Sequence, residues 1–174
     1  MITGHRPQKV GGYQTPNPTE QWVRSQLRAL LIGLKARHPD DLTAISGMAV
    51  GVDTIWAEEA VRLGIPFVAA VPFRGQERRW PGSSQQTHRR LIARACEVVY
   101  VDEEVGYVED TIIAMLSSRN RWMVDHSDAT IAVWDGSKGG TRNAVEMTWR
   151  AGRSVLVLDP ATQSSSVRLL GDGA

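Results

Sequence analysis

The chain alternates short apolar runs with amphipathic helical stretches, and this alternation constrains the fold more than any other feature. Five apolar runs indicate strands, at residues 42–45, 65–71, 97–101, 129–134 and 154–158. Near-continuous apolar runs are typical of strands buried on both faces of a parallel sheet. Helical periodicity fills the intervals, at residues 19–37, 52–63, 83–95, 107–126 and 141–150. The pattern predicts an α/β, Rossmann-like three-layer sandwich with a mostly parallel sheet.

The length of 174 residues suits one domain, which we place at residues 1–160. Met1 and Ile2 run straight into a Gly/His/Arg/Pro turn, so they indicate one further, short strand. The expected sheet therefore has about five or six strands. Residues 161–174 are rich in Ser and Gly and predict a flexible tail.

Charge and cysteine content exclude several classes of protein. The net charge of +1 gives no bulk attraction to nucleic acid or to a membrane. The single cysteine, Cys96, excludes an intramolecular disulfide and a multi-cysteine zinc site, and it fits a reducing cytoplasm. No apolar run approaches the roughly 18 residues of a membrane span, and the start has no apolar signal segment. These features lead us to expect a cytoplasmic protein. The histidines lack metal-ligand spacing, so we expect no metal, and we expect no cofactor.

Ligands of doubly wound folds bind at the carboxyl ends of the strands, so the loops that follow strands are the candidate sites. The first such loop holds Gly4, His5 and Arg6. The glycine permits close approach of the backbone, and the arginine can contact a phosphate. A plain turn with an exposed arginine is the alternative interpretation.

The second loop, residues 46–53 (Ser-Gly-Met-Ala-Val-Gly-Val-Asp), joins a strand to a helix. Small residues expose backbone N–H groups beside a helix N-terminus, which makes an anion cradle. The candidate ligand-binding residues here are Gly47, Met48, Ala49 and Gly51. Asp53 either caps the helix or accepts hydrogen bonds from ribose hydroxyls. The substitution Gly51→Asp is expected to abolish binding without unfolding the chain, because it places a carboxylate at the phosphate position.

The third loop, residues 72–81, combines aromatic rings with arginines. Phe73 and Trp80, together with Trp56 in the preceding helix, are candidate faces for a base, and Arg79 is a candidate phosphate ligand. Six arginines and one glutamate lie between residues 74 and 94, which also suits single-stranded nucleic acid. The alternative is an exposed arginine loop over which Trp80 packs as a lid.

The fourth loop, residues 135–141, follows the strongest predicted strand and opens a helix. Its candidate ligand-binding residues are Asp135, Gly136, Gly139, Gly140 and Thr141. The Gly-Gly-Thr sequence predicts a second anion cradle, with Thr141 as the helix cap. Both cradles should converge at the carboxyl edge of the sheet, where they would favour a nucleotide or nucleotide-sugar ligand.

Charged residues in the two last helices have less specific patterns. Arg150 stands four residues after Glu146, which predicts a surface ion pair. We expect Arg142 and Glu146 to be more exposed than the glycines and the threonine of the fourth loop. Residues 119–122 (Arg-Asn-Arg-Trp) lie inside a helix and are expected to face solvent or an interface, with Arg121 as a candidate to neutralise ligand charge.

Several strings resemble the YpsA-like family of the SLOG superfamily: TGHRP at residues 3–7, SGMAVGVD at 46–53, VPF at 71–73 with QERRW at 76–80, and RNRWMVD at 119–125 followed by AVWDGS and GGT. The resemblance covers residues 1–160 and implies a Rossmann-like fold with a nucleotide-derived ligand. The second loop is also similar to DNA-processing protein A, a single-stranded DNA binder. Residues 128–141 are distantly similar to LOG phosphoribohydrolases, but Asn143 stands near the position of their glutamate and cannot act as a carboxylate.

The leading hypothesis is binding of a nucleotide-derived ligand of the ADP-ribose or NAD type, without a metal, as in a sensor. A hydrolase that cleaves an N-glycosidic or related bond is the alternative, and single-stranded DNA binding is the second alternative. Whether the chain is an enzyme, and which residues would be catalytic, is left open. The expected partner is a nucleotide-like small molecule. A homodimer is left open, and neither a membrane nor nucleic acid is expected as a partner.

Overall fold

The computed structural model describes residues 1–14, 16–102 and 111–169. Seven strands lie in these ranges: β1 (Ile2–Gly4), β2 (Ala44–Ser46), β3 (Phe67–Val71), β4 (Glu97–Tyr100), β5 (Thr130–Val133), β6 (Val155–Asp159) and β7 (Ser164–Arg168). Five α-helices connect them: α1 (Pro18–Arg37), α2 (Val52–Arg62), α3 (Gly82–Ile92), α4 (Ile112–Asp125) and α5 (Gly140–Arg150). A 3₁₀ turn, Pro7–Lys9, follows β1.

The strands form two hydrogen-bonded sets that meet at β1 and β2. One set has the order β1-β5-β6-β7 and the other β2-β3-β4. Every pairing is parallel except that of β6 with β7, and β1 lies beside β2. The chain runs outward from β1 to β4 and then returns to β5 on the other side of β1, so the strand order reverses there. The predicted α/β architecture with a mostly parallel sheet is confirmed.

Helices cover both faces of the sheet. Val23, Leu27 and Leu31 of α1 are fully buried at helical spacing against a core that includes Ile2 and Phe67. On the other face, Met123 and Val124 of α4 pack with Ala144 of α5, Ile45 and Ala70. Each fully buried aliphatic side chain of this kind contributes about 1.5–3 kcal/mol of transfer free energy.

An ion-pair cluster joins α1 to α2. The fully buried Glu59 accepts from Arg24 Nη1 at 2.9 Å and from Arg28 Nε at 2.7 Å. Burial by itself would raise the pKa of Glu59, but the hydrogen bonds from Arg28 and Arg24 outweigh burial and hold it below its ordinary value. The cluster therefore ties α2 to α1.

The segment after β6 differs from the expectation of a flexible tail starting at residue 161. Residues Ser164–Arg168 form β7, which pairs antiparallel to β6 with Val155 opposite Arg168. This edge strand is held by backbone hydrogen bonds to β6. Its side chains are largely exposed and rich in serine, so its sequence shows no periodic pattern of apolar residues from which a strand could be predicted. The predicted helix at residues 107–126 is described only as α4, and its residues 107–110 lie outside the described ranges. Among the described helices, none is both long and apolar enough to cross a membrane.

Candidate functional site

A cavity of about 370 Å³ opens at the carboxyl ends of β1 and β5, where the strand order reverses. The end of β1 and the residues after it (3–6, 8 and 9) form one wall, and residues 137–141 after β5 form another. Ala49 and Asp53 reach it from the loop after β2, and Leu116, Arg119 and Asn120 of α4 close it. This is the place where open α/β sheets bind their ligands. The second and fourth loops therefore converge on one cavity, as predicted.

A buried ion pair stands in the cavity wall. Arg119 Nη1 donates to Asp53 Oδ2 at 3.1 Å, and the Ala49 N–H donates to the same oxygen at 3.3 Å. The two side chains are 9% and 5% exposed. Burial raises the pKa of Asp53 and lowers that of Arg119, and each partner opposes the shift of the other. Arg119 Nε is buried and, in the described part of the chain, has no hydrogen-bond partner.

The glycines of the second loop are packed against protein. A Cβ on Gly47 would lie 1.4 Å from Arg119 Nη1, so this glycine makes room for the guanidinium. A Cβ on Gly51, whose φ is +111°, would lie 2.6 Å from the carbonyl oxygen of His5. Gly51 does not line the cavity, and Met48 is fully buried in the core with φ +55°. An aspartate at Gly51 would therefore collide with the backbone of the first loop. The Gly51→Asp variant is thus expected to lose stability, and not to stay folded while losing only its ligand.

The glycines of the fourth loop are open. Among the described residues, apart from the chain neighbours and the backbone of α5 itself, no heavy atom lies within 4 Å of a Cβ built on Gly139 or on Gly140. Gly139 is the N-cap of α5, with φ 144° and ψ −167°, and no side chain caps the helix. The predicted cap role of Thr141 is therefore wrong: Thr141 is buried inside the first turn. The uncapped first turn offers backbone N–H groups at the cavity, beside the positive end of the helix dipole.

Asn120 holds that first turn in place, a role that the sequence did not predict. Its Nδ2 donates to the carbonyl oxygen of Gly140 at 3.2 Å and to Asn143 Oδ1 at 3.0 Å. The side chain is buried between α4 and α5. The burial of the neighbouring Arg119 could have been predicted from helical spacing. Met115, Arg119 and Met123 recur every four residues and so lie on one buried face of α4.

His5 and Asp135 join the loops after β1 and β5 at the rim. His5 Nε2 lies 2.8 Å from Asp135 Oδ1 and accepts from the Asp135 N–H at 3.1 Å, and Lys9 Nζ donates to Asp135 Oδ2 at 2.9 Å. Burial lowers the pKa of His5, although Asp135 opposes this. Desolvation of Asp135 is outweighed by hydrogen bonds from Ser137 and Lys9, which hold its pKa well below the usual range. Within the described ranges, no three of His, Cys, Asp and Glu are grouped to hold a metal ion.

Several predicted ligand-binding residues lie away from the cavity. Trp56 and Phe73 are buried in the protein, and Trp80 packs edge-on against His88. Arg121 stands two positions from Arg119 and so faces roughly the opposite side of α4, beside α5. Gly4, His5, Arg6, Ala49, Asp53, Gly139, Gly140 and Thr141 do line the cavity, whereas Arg79, Gly136 and Asp135 do not.

Glu146 forms surface ion pairs, as predicted. Its Oε1 accepts from Arg142 Nε at 2.7 Å, and Oε2 lies 3.6 Å from Arg150 Nη2. The expected order of exposure is wrong for the two glycines: Gly139 and Gly140 are exposed, whereas Arg142 and Glu146 are half-buried. The two glycines are exposed because no side chain caps α5 and no other described residue packs against them.

The family model described as the YspA SLOG family matches residues 1–153. The chain belongs to the YspA SLOG family. It is 30% identical over 140 residues to the uncharacterized SPbeta prophage-derived protein YoqJ of Bacillus subtilis (strain 168), a match that covers 74% of this chain and 81% of YoqJ. It is 24% identical over 146 residues to a UPF0398 protein of Bacillus pumilus (strain SAFR-032), covering 80% of this chain and 75% of that protein.

Two solved structures share the fold. DNA processing protein A (DprA) from Streptococcus pneumoniae matches 91% of this chain with a TM-score of 0.62 and 18% identity. DprA from Helicobacter pylori matches 91% with a TM-score of 0.61 and 20% identity. The match spans 49% and 63% of those two chains. At this level of identity the likeness shows the fold alone.

One expectation about partners needs correction. The Helicobacter pylori structure gives insights into the single-stranded DNA binding mode of that DprA. The expectation against nucleic acid as a partner does not stand, because the fold that this chain shares is one that binds single-stranded DNA in that protein. That expectation rested on the total charge of +1, which takes no account of how charges are distributed along the chain.

Proposed function

We propose that the cavity at β1 and β5 binds a nucleotide or nucleotide-derived ligand through its phosphate. The observation that carries the proposal is that the open first turn of α5 and the buried guanidinium of Arg119 line the same cavity. An uncapped helix N-terminus binds phosphate through its N–H groups. An arginine fixed by a carboxylate supplies a charge-assisted donor with little loss of conformational entropy.

The charges of the cavity walls support an anionic ligand. Arg6, Lys9, Arg119 and Lys138 line it, and Asp53 is the one acidic residue among the lining residues that are described. A concave site with this excess of positive charge attracts anions. Its volume lies within the range of small-molecule sites.

Binding is better supported than hydrolysis. Cleavage of an N-glycosidic bond would use a carboxylate beside the scissile bond. Glu146 is held by Arg142 and Arg150 and does not line the cavity. Asp53 lines the cavity, but its Oδ2 already accepts from Arg119 and from the Ala49 N–H. We therefore propose a ligand-binding, sensor-type role.

The test is isothermal titration calorimetry with AMP, ADP, ADP-ribose and NAD, with and without EDTA, and with adenosine as the matched compound lacking phosphate. We expect the phosphate-bearing compounds to bind regardless of EDTA. Adenosine should bind about 10- to 150-fold more weakly, the value of one charge-assisted hydrogen bond. Equal affinity for adenosine and AMP, or no binding of any compound below millimolar concentration, would refute the proposal.

Single-stranded nucleic acid is the second candidate, because the Helicobacter pylori relative of the same fold binds single-stranded DNA and arginines are concentrated at residues 74–94 here. The test is fluorescence anisotropy of a labelled oligothymidylate as a function of salt. We expect binding that weakens as salt rises, because neutralised phosphates release counterions. Binding that does not depend on salt, or no binding at low salt, contradicts this candidate.

A further inference from the structure

The positive charge of the chain is concentrated in one segment. Between Arg74 and Arg94 lie six arginines and one acidic residue, Glu77, so this segment carries +5 in a chain whose total charge is +1. We name Arg78, Arg79, Arg89, Arg90 and Arg94 the arginine surface; all five are exposed. None of them lines the cavity at β1 and β5. The segment is therefore a second, separate concentration of positive charge.

Gln85 joins the two ends of the arginine surface. Its Nε2 donates to the carbonyl oxygens of Arg78 at 3.3 Å and of Trp80 at 2.9 Å. Its Oε1 accepts from Arg89 Nη2 at 3.0 Å. The backbone of Arg78, before α3, and the side chain of Arg89, in the last turn of α3, thereby lie beside the helix face that carries Gln85. The helix is about 16 Å long, enough for several phosphates of an extended strand.

Aromatic rings stand among the arginines. Trp80 is half-buried and is held by His88, with 5.4 Å between ring centroids and an interplanar angle of 86°. Arg74 lies over the ring of Tyr100 at the end of β4, 3.9 Å from its centroid. Basic side chains interleaved with aromatic rings are the combination that binds single strands, since the backbone is neutralised while bases stack. Of the acidic residues that the structure describes here, Glu77 lies within the segment, and Glu58 pairs with Arg90 at 3.0 Å.

We infer that the arginine surface binds single-stranded nucleic acid, with Arg78 and Arg89 contacting phosphates and Trp80 contacting a base. The inference rests on the second proposed function and names the surface that carries it. Charge complementarity selects a polyanion, and the interleaved rings select a single strand over a duplex, whose bases are already stacked.

The experiment measures anisotropy of a labelled oligothymidylate with the wild type, with Arg78→Glu/Arg89→Glu and with Arg37→Glu/Arg150→Glu. The last variant is the matched control: it changes the charge equally at two exposed arginines in the last turns of α1 and α5. We expect the first variant to lose about tenfold or more in affinity. Its salt slope should fall by about 0.7 for each phosphate that is no longer neutralised. The control should retain most of the affinity.

The outcomes separate the two claims. Oligothymidylate binding that the two double variants weaken equally would overturn the arginine surface and leave the second proposed function standing. No binding by the wild type would overturn both. Arg78→Gln/Arg89→Gln, with its fold checked by circular dichroism, replaces the charge reversal if the latter unfolds. Equal affinity for an abasic strand and for oligothymidylate would overturn the role of Trp80.

Discussion

The two glycine-rich loops look alike in the sequence, yet the structure uses their glycines in opposite ways. In the loop after β2, side-chain atoms added to Gly47 or Gly51 would meet Arg119 or the backbone of His5. In the loop after β5, a Cβ added to Gly139 or Gly140 would meet no other part of the chain that the structure describes. Glycine is required in the first loop because protein groups approach closely. In the second loop it leaves the first turn of a helix open to the cavity.

The glycines after β2 thus make room for protein groups, among them Arg119 of α4, which pairs with Asp53. The glycines after β5 instead leave backbone N–H groups open to the cavity. Substitutions in the former should therefore change the stability of the fold, and those in the latter should change ligand binding. Measurements of the free energy of unfolding and of nucleotide affinity on the same variants separate these two effects.

Gly51→Asp should have the largest effect on stability. It forces a side chain into a positive-φ conformation and against the His5 carbonyl, so the free energy of unfolding should fall by about 4 kcal/mol. Urea denaturation followed by circular dichroism measures this. A Gly51→Asp protein as stable as the wild type would show that the two loops do not differ in this way.

Asp53→Ala should destabilise the fold by about 3 kcal/mol, because it leaves the buried guanidinium of Arg119 without its carboxylate. The double variant Asp53→Ala/Arg119→Met, in which no charge remains buried, should recover part of the loss. Equal stability of the single and double variants in urea denaturation would contradict the proposed pairing.

Glu59→Gln is a control variant, because it changes the ion-pair cluster between α1 and α2 and no residue of either glycine-rich loop. It should cost about 2 kcal/mol by breaking the cluster with Arg24 and Arg28, with no change in nucleotide affinity. The pKa of Glu59 is lowered in the folded state, so its contribution is complete above its ordinary value of 4.5 and is lost as the pH falls through the folded pKa. Denaturation at a series of acidic pH values should therefore show a smaller loss of stability on acidification for Glu59→Gln than for the wild type.

Asn120→Leu keeps the approximate shape of the side chain and adds no charge, but it removes the donor to Gly140 and Asn143. We expect a loss of about 1 kcal/mol in stability and a clear loss in AMP affinity, because the first turn of α5 is no longer held. Ser118→Ala, an uncharged change at an exposed position on the same helix, is the control. Unchanged AMP affinity in Asn120→Leu would remove Asn120 from the site.

The sequence predicted the alternation of strands and helices and the meeting of both loops, since buried parallel strands have continuous apolar runs and their carboxyl ends share one edge. It did not predict β7, which depends on backbone pairing with β6. It assigned Trp56 and Phe73 to the ligand, although both are buried in the protein, because an aromatic residue in a core and one in a site look the same in a sequence. It missed Arg119 and Asn120, whose roles depend on partners far along the chain, Asp53 and Gly140.

Calorimetry of AMP with Gly140→Asp and Gly140→Asn tests the central claim most directly. Gly140 lines the cavity, has room for a side chain and begins α5, where a carboxylate suits the helix dipole, so both variants should match the wild-type stability to within about 0.5 kcal/mol. The account predicts that Gly140→Asn retains most of the affinity and that Gly140→Asp loses about 10- to 150-fold, because its carboxylate repels the phosphate. Equal AMP affinity in the two variants would contradict the account.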